Sequence, residues 1–380
     1  MTACQTANQP TIVERTVLVE TTRSVETLVT RVATVQVPVE ITREVFIPVV
    51  QEPADLGSAE NPIRLVVAPF AASATAVART QALAADLARL TGLVFTPIVA
   101  ETHVAAIAEA CAAPAATLTI LPAISFVLAH RQCDLQAWHS GIRFGIPWSA
   151  GMVLVRGGRE LQELADLAGQ TWGVDSTDSV VNYLWFKAKL AALKIEPGPV
   201  TTYDTDAATV IALFDDQVAF ATADFKPPIL PYNERLWVYG EDSPEIWRRA
   251  DSPPTRSGIG FVVVGDYVDR GGYQVRDARA AVLDSRPLIF AATIIPALSD
   301  LIPNEALAFG AEMPLAMSRE LGRILAEYTA SAACSQTVCS ADFLAWEGVA
   351  PVDDAAYDPL RFIQEQLALS DADFLGYVRP

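Results

Sequence analysis

From Asn61 to Ala221 the chain alternates short apolar runs with helical stretches, and this alternation limits its possible folds more than any other feature. Ile63 to Ala68 is apolar apart from Arg64 and has the make-up of a buried strand. Pro69 to Ser73 is a loop. Ala74 to Leu90 is an Ala/Leu-rich helix closed by Thr91-Gly92. Leu93–Val99 (strand), Val104–Ala112 (helix), Leu118–Leu121 (strand) and Ile124–His130 (helix) follow. A second round has strands at Met152–Arg156, Thr171–Val174 and Val218–Ala221, with helices at Leu161–Leu167, Ser179–Leu193 and Ala207–Phe214. Two α/β units in succession, with right-handed crossovers, predict parallel sheets.

The size and make-up suit that reading. The chain has 380 residues, 51% of them hydrophobic, so it can bury a large core and global disorder is excluded. The length predicts two or three domains, or one two-lobed body with an appendage. Asp plus Glu number 45 against 27 Lys plus Arg, a net charge of −18. Such a chain repels phosphate backbones and anionic membrane surfaces, so no nucleic-acid partner is expected. Its most apolar stretch, Ala280–Pro303, contains Asp284, Arg286, Pro287, Pro296 and Asp300 and cannot span a bilayer as a helix.

Residues 1–60 differ from the body. Val-Glu recurs at Val13, Val19, Val25 and Val39, and Thr-Arg at Thr22, Thr30 and Thr42, with no glycine between Thr11 and Val50. A heptad-like register runs through Leu18, Val25, Val32 and Val39, but β-branched Val and Thr favour extended backbone, and Pro38 and Pro48 stop helices. The segment is expected to be a solvated stalk, partly extended and helical over a few turns at most, with a reach of about 150 Å at full extension. Met1-Thr2-Ala3-Cys4 has the form of the end of a bacterial lipoprotein signal, with Cys4 as the acylated residue, although the segments that precede such a site are absent from the sequence. A lipidated Cys4 on a stalk predicts an extracytoplasmic protein anchored to the cell membrane; the alternative is a chance cysteine on a leader without a role. Setting Cys4 aside, Cys111 and Cys133 lie in one βα unit, and Cys334 and Cys339 enclose four residues. Two disulfides are permitted in an oxidising compartment, the alternative being four buried thiols. Neither pair has a second pair or a histidine at ligand spacing, so no metal and no cofactor are expected.

The order of motifs from about Asn61 to Pro380 resembles the phosphate/phosphite/phosphonate substrate-binding proteins of ABC importers, within the type II periplasmic binding proteins. The resemblance is carried by Ile63–Pro69, by Leu118–Ala129 with its Leu-Pro-Ala-Ile-Ser-Phe, and by Gly145–Arg156. It continues in Leu161–Asp175, with Asp-Leu-Ala-Gly-Gln-Thr-Trp-Gly-Val-Asp, and in Ile294–Asn304 with its Ser and Ile-Pro. The Leu-Ala-Gly-Gln segment is the most specific of these. The resemblance implies an α/β, two-lobed Venus-flytrap fold. Lobe 1 would span 61–149 and 298–380, and lobe 2 would span 150–297, with the stalk at 1–60. It also implies a small-molecule ligand held between the lobes, ABC permease subunits as membrane partners, and a monomer.

In such folds the ligand lies at the carboxyl ends of the strands. The candidate contacts are therefore Phe70, Ser73, Ser125, Phe126, Trp148, Ser149, Thr177, Asp178, Ser179, Asp224 and Ser299. Helix N-termini favour anions, and Ser176–Ser179 precedes a helix. The sequence departs from the resemblance here. The family's Ser-Thr-Ser-Gly run falls on Ser179, Val180, Val181 and Asn182, and Asp178 places a carboxylate beside the expected anion. Phe126 stands where a Tyr is usual, and the Val-Asp-Ala near Val218 is Val-Ala-Phe. With fewer oxyanion donors and more aromatic surface, a neutral, zwitterionic or aromatic organic ligand stands beside a phosphonate or oxyanion. The plainer alternative makes Asp178 or Ser179 a helix cap and the aromatics core or interlobe packing.

Phe225–Val275 is rich in Pro, Trp and Tyr and reads as an excursion within lobe 2 or a lid near the cleft. Catalysis finds no motif: there is no nucleophile elbow, zinc-binding His pair or phosphate loop, and Gly258-Ile259-Gly260 leads into a strand. His103, His130 and His139 are scattered. The expected protein is therefore a solute-binding component of an importer and not an enzyme. Two alternatives remain: a sensing module of the same fold that signals to a membrane partner, and an enzyme built on this fold.

Overall fold

The computed structural model describes residues 12–27, 31–46, 56–159, 161, 163–233, 235–265 and 272–378. The chain separates into two compact units, Met1–Ala54 and Asp55–Pro380. In the first, β1 (Ile12–Thr27) and β2 (Arg31–Phe46) pair antiparallel, from Ile12 opposite Phe46 to Thr27 opposite Arg31. The described part of the expected stalk is extended and has no helical turn. Strands of this length span about 50 Å, and the chain doubles back instead of running out singly. Val and Thr decide for strand, and Pro38, opposite Glu20, is tolerated because both strands of a ribbon are edges. Cys4 lies outside the described residues.

The second unit opens with β3 (Ile63–Val67), α1 (Ser73–Thr91), β4 (Phe95–Val99), α2 (His103–Cys111), β5 (Thr117–Leu121), α3 (Ala123–Cys133) and β6 (Gln136–Ile142). Gly92 ends α1 in the left-handed conformation, φ 74°, and its N–H bonds back to Ala88. The chain then enters a second sheet through β7 (Trp148–Arg156), β8 (Trp172–Val174), α4 (Trp185–Ala192), β9 (Val200–Thr202), α5 (Asp206–Phe214) and β10 (Phe220–Phe225). The aromatic excursion is ordered over its described residues. It carries two single turns and a small antiparallel sheet of β11 (Thr255–Arg256), β12 (Val262–Val264) and β13 (Tyr273–Val275). Trp237 and Trp247 are buried there against the second sheet's core. After α6 (Ile289–Ala292), β14 (Thr293–Leu298) rejoins the second sheet and β15 (Ile302–Pro303) pairs with β7. The chain returns to the first sheet with β16 (Ala306–Phe309), α7 (Leu315–Thr329) and β17 (Gly348–Pro351), and ends in α8 (Asp358–Gln366) and α9 (Asp371–Leu375).

The result is a two-lobed α/β fold with strand orders β17-β6-β16-β5-β3-β4 and β14-β7-β10-β8-β9. The sheets are mixed, a correction to the expected parallel sheets. β3 is parallel to β4 and β5, and β8 to β9 and β10, but β7, β14, β16 and β17 join antiparallel. Of these, β7, β14 and β16 flank the two passages between the sheets, and β17 joins β6 at the edge of the first sheet. Both permitted disulfides form. Cys111–Cys133, with Cα atoms 5.6 Å apart, ties α2 to α3, and Cys334–Cys339, at 5.2 Å, closes a turn after α7. Among the described residues no helix is long and apolar enough to cross a membrane.

Candidate functional site

The two passages between the sheets lie side by side, with Asn304 making four of the bonds between them. The first is a tight turn, Arg143–Ile146, closed by Arg143 N–H to Ile146 O at 3.0 Å and Ile146 N–H to Arg143 O at 3.1 Å. Phe144 (φ 54°) and Gly145 (φ 75°) are both left-handed, the geometry of a type I′ turn, and Phe144 is a bulky residue held where glycine or asparagine is usual. The second passage, 299–305, carries Asn304. Its Nδ2 donates to Gly141 O (2.9 Å) and Ile146 O (3.1 Å), its backbone N–H to Pro147 O (3.0 Å), and its Oδ1 accepts from Ser149 Oγ (3.0 Å). Glu305 beside it pairs with Arg143 at 2.8 Å and accepts from Trp346 Nε1 at 3.1 Å.

Above these passages lies a cavity of about 340 Å³. The first lobe contributes Pro122–Ile124, the opening of α3, and the second contributes Asp178–Val181; Ile302–Glu305 forms the floor, with Leu360, Tyr377 and Val378 at one side. Pro122 caps α3 without a side-chain hydrogen bond, so the first amides of that helix face the cavity end unclaimed by a cap. Opposite, Ser179 Oγ accepts from Asn182 N–H at 3.1 Å, and Ser179 O takes bonds from both Tyr183 and Leu184. The bond from Leu184 makes Val180–Leu184 a wide π-type turn, a feature often found at functional sites. Gly151 of β7 lies under that turn, where a Cβ would come within 2.3 Å of Val181 O. The charged groups on the wall are Arg143, Asp178 and Glu305, one cation against two carboxylates.

On the other side of the same turn is an acidic recess at the carboxyl ends of β8 and β10. Asn182 is 1% exposed, and its Nδ2 donates to Asp175 Oδ1 (3.2 Å) and Asp206 Oδ1 (3.3 Å). The N–H of Asp224 reaches Asp206 Oδ2 at 3.4 Å. Burial, with the charges of Asp224 and Asp175 added, pushes the Asp206 carboxyl up to about 7, against the pull of the Asp224 N–H and of Lys226. Burial likewise raises Asp224, opposed by Lys226 and Asn182. Lys226 Nζ also sits 4.3 Å from the centre of the Phe144 ring. Among the described residues no cluster of His, Cys, Asp and Glu is arranged to hold a metal ion.

Three residues named from the sequence, Ser149, Asp178 and Ser179, line the cavity, and Asp224 borders the recess. Thr177 is exposed on the loop between the two. The others lie elsewhere. Phe126 is fully buried, its ring 4.5 Å from that of Tyr357. Ser125 is buried with an unpartnered Oγ, and Ser299 is buried with its hydroxyl between Gly151 N–H and Asp300 O. Phe70 packs edge-on to Phe343, Ser73 is exposed at the start of α1, and Trp148 packs near Trp237. Arg143, Asn182, Asp206, Asn304 and Glu305 are not among the residues named from the sequence as ligand contacts. Asn304 falls inside a run that carries the resemblance and Asn182 on the last position of the run where the sequence departs from it, but no spacing marks Arg143 or Asp206, whose partners are distant in sequence.

Several solved structures are similar to this chain at low identity and low TM-score. A Xanthomonas citri protein bound to ATP matches at 11% identity over 83% of this chain and 97% of its own, TM-score 0.43. A binding protein component of an ABC phosphonate transporter from Pseudomonas aeruginosa matches at 14% over 83% and 92%, TM-score 0.38. PhnD1 from Prochlorococcus marinus, in complex with methylphosphonate, matches at 10% over 80% and 98%, TM-score 0.38. No curated protein matches the chain. Residues 65–357 match the family described as ABC transporter, phosphonate, periplasmic substrate-binding protein. That match covers most of the body, both sheets and both passages, and the chain belongs to this family of extracytoplasmic solute-binding components of ABC transporters.

Proposed function

We propose that the cavity at the two passages is where this protein captures its ligand, a small organic molecule with an anionic group. The protein then presents that ligand to the permease subunits of an importer. The observation that carries the reading is the lining: the open N-terminus of α3 from one lobe, the Ser179 turn from the other, and Arg143 and Asn304 from the passages between them. On this reading lobe 1 is 61–149 with 298–380 and lobe 2 is 150–297, and Ser149, Asp178 and Ser179 touch the ligand. The family works as a transport binding protein, not as an enzyme, and does not favour the sensing alternative. We extend the reading to a monomer tethered through a lipid on Cys4.

The test is native mass spectrometry of protein purified without refolding, followed by thermal shift with whatever occupies it. A copurified small molecule that stabilises the parent protein, and fails to stabilise a Ser179→Trp variant of unchanged circular dichroism, is the expected result. Equal stabilisation of both proteins sinks the cavity as the site.

A further inference from the structure

We infer that the β1–β2 ribbon binds an anionic lipid surface through the face on which its arginines and its apolar residues fall together. The inference goes beyond the ligand cavity and depends neither on it nor on acylation of Cys4.

The ribbon sorts its residues by parity. Strand residues alternate between two faces, and the register pairs odd with odd and even with even, as Val17 with Ile41 and Leu18 with Glu40. The arginines of the two strands are Arg15, Arg23, Arg31 and Arg43, all odd; the acids are Glu14, Glu20, Glu26, Glu40 and Glu44, all even. One face therefore carries only positive charges and the other only negative ones. The odd face is also the apolar one: ten of its sixteen residues are Val, Ala or Ile, with Val35, Val37, Val39 and Ile41 in succession along β2. Stability of the ribbon alone would not select this sorting. Arg15 stands opposite Arg43 and Glu14 opposite Glu44, and like charges across a strand pair are unfavourable.

A two-stranded ribbon with an apolar face is marginal in water until something covers that face. The unit Met1–Ala54 holds no other described strand or helix to do so. Charge decides between the possible covers. A second copy laid face to face would set arginines against arginines with no acid between them. A face of about 50 Å by 10 Å would also bury only about 1,000 Å² in such a pair, the lower bound for a stable interface. An anionic bilayer offers what the odd face needs: phosphate groups for the arginines and the edge of the acyl layer for the valines. The whole chain, at −18, is repelled by such a surface. The sorted face is the exception, and it acts locally, because charges more than about 8–10 Å away are screened at physiological salt. The ribbon lies along the bilayer and does not span it. Its two strands pair only with each other among the described residues, so each has an outer edge whose N–H and C=O groups need water.

The experiment uses the full chain with Cys4→Ser, so that no acyl group holds it, and vesicles of phosphatidylcholine with or without about a quarter of phosphatidylglycerol. Cosedimentation at low salt reads the partition coefficient. Expected is partition into the anionic vesicles at least about tenfold stronger than into the neutral ones, and lost near about 1 M salt. Each arginine near such a surface is worth about fivefold, so Arg15→Gln with Arg43→Gln should weaken partition about 30-fold. The decisive variant exchanges neighbours: Glu14→Arg with Arg15→Glu, and Arg43→Glu with Glu44→Arg. It keeps composition and net charge but puts both signs on both faces, and its partition should fall at least as far. Equal partition of this variant and the parent overturns the proposal, because charge would then act without a face. No preference for anionic vesicles overturns it as well. So does a dimer that forms without vesicles and that Val37→Asp disperses, which would give the face to a second copy. The thermal shift produced by the cavity's ligand should be the same in every variant, so failure here is distinct from failure of the cavity.

Discussion

The strand ends of the two lobes are electrically opposite. In the first lobe, β5 runs through Pro122 into α3, and what meets the cavity is a helix N-terminus without a carboxylate. In the second, Asp175 follows β8, Asp224 is the penultimate residue of β10, and α5, which follows β9, begins with Asp206. The topology is similar after β5 and β8: a strand, a short loop, a helical turn. The difference lies in which side chains stand at the loop, and it teaches that strand ends position a ligand without deciding its charge. Amides left uncapped favour an anion, whereas clustered carboxylates favour a cation or a proton.

Three changes test that contrast, in falling order of expected effect. Phe126→Ala strikes the support of the first lobe's face. The ring is fully buried against Tyr357, so about 3–5 kcal/mol of stability should go, measured by denaturant unfolding. A loss of ligand affinity with full stability would instead make Phe126 part of the site. Asn304→Ala cuts the lacing between the passages and strands Gly141 O, Ile146 O and Ser149 Oγ, at a cost of about 2 kcal/mol. The same variant should broaden the distribution of interlobe distances in a spin-label measurement; an unchanged distribution would mean that the passages hold themselves.

Asp206→Asn acts on the second face alone, and its effect is read against pH. A carboxyl raised in the folded state contributes stability that is fully present below the unfolded value near 4 and is lost as pH rises through about 7. The parent should therefore lose stability across that window by more than the asparagine variant does, and the variant should be the more stable above it. Water at the half-buried site screens the effect, which makes it the smallest of the three. Parallel stability curves for the two proteins would show that Asp206 titrates as an ordinary surface carboxyl.

Several parts of this molecule were legible as text. The apolar runs at Ile63 and Leu118 had to be strands, and Gly92 had to end α1, because local chemistry decides both. The even set of four body cysteines allowed the two bridges that form. Of the site, Ser149, Asp178, Ser179 and Asp224 could be named because they sit beside strand ends or helix starts, positions that sequence locates to within a residue or two. Phe126 illustrates the limit. It occupies the right loop in the text, but α3 begins at Ala123, one residue earlier than the apolar pattern shows, and its side chain turns into the core. Arg143 and Asn304 are 161 positions apart by number, and only the return of the chain beside its own first passage brings them to one wall.

The sequence by itself determined the alternation of strands and helices, the extended character of residues 12–27 and 31–46, the two bridges as permitted pairs, and membership of a binding-protein family. These depend on period, propensity and spacing, which are local. The tertiary structure alone decided that the sheets are mixed, that Asn304 bonds across the two passages, and that Asp175, Asp206 and Asp224 share a recess around Asn182. Those outcomes depend on which distant segments become neighbours. The energy of a charge is set by the groups and the burial around it in space, not by its place along the chain.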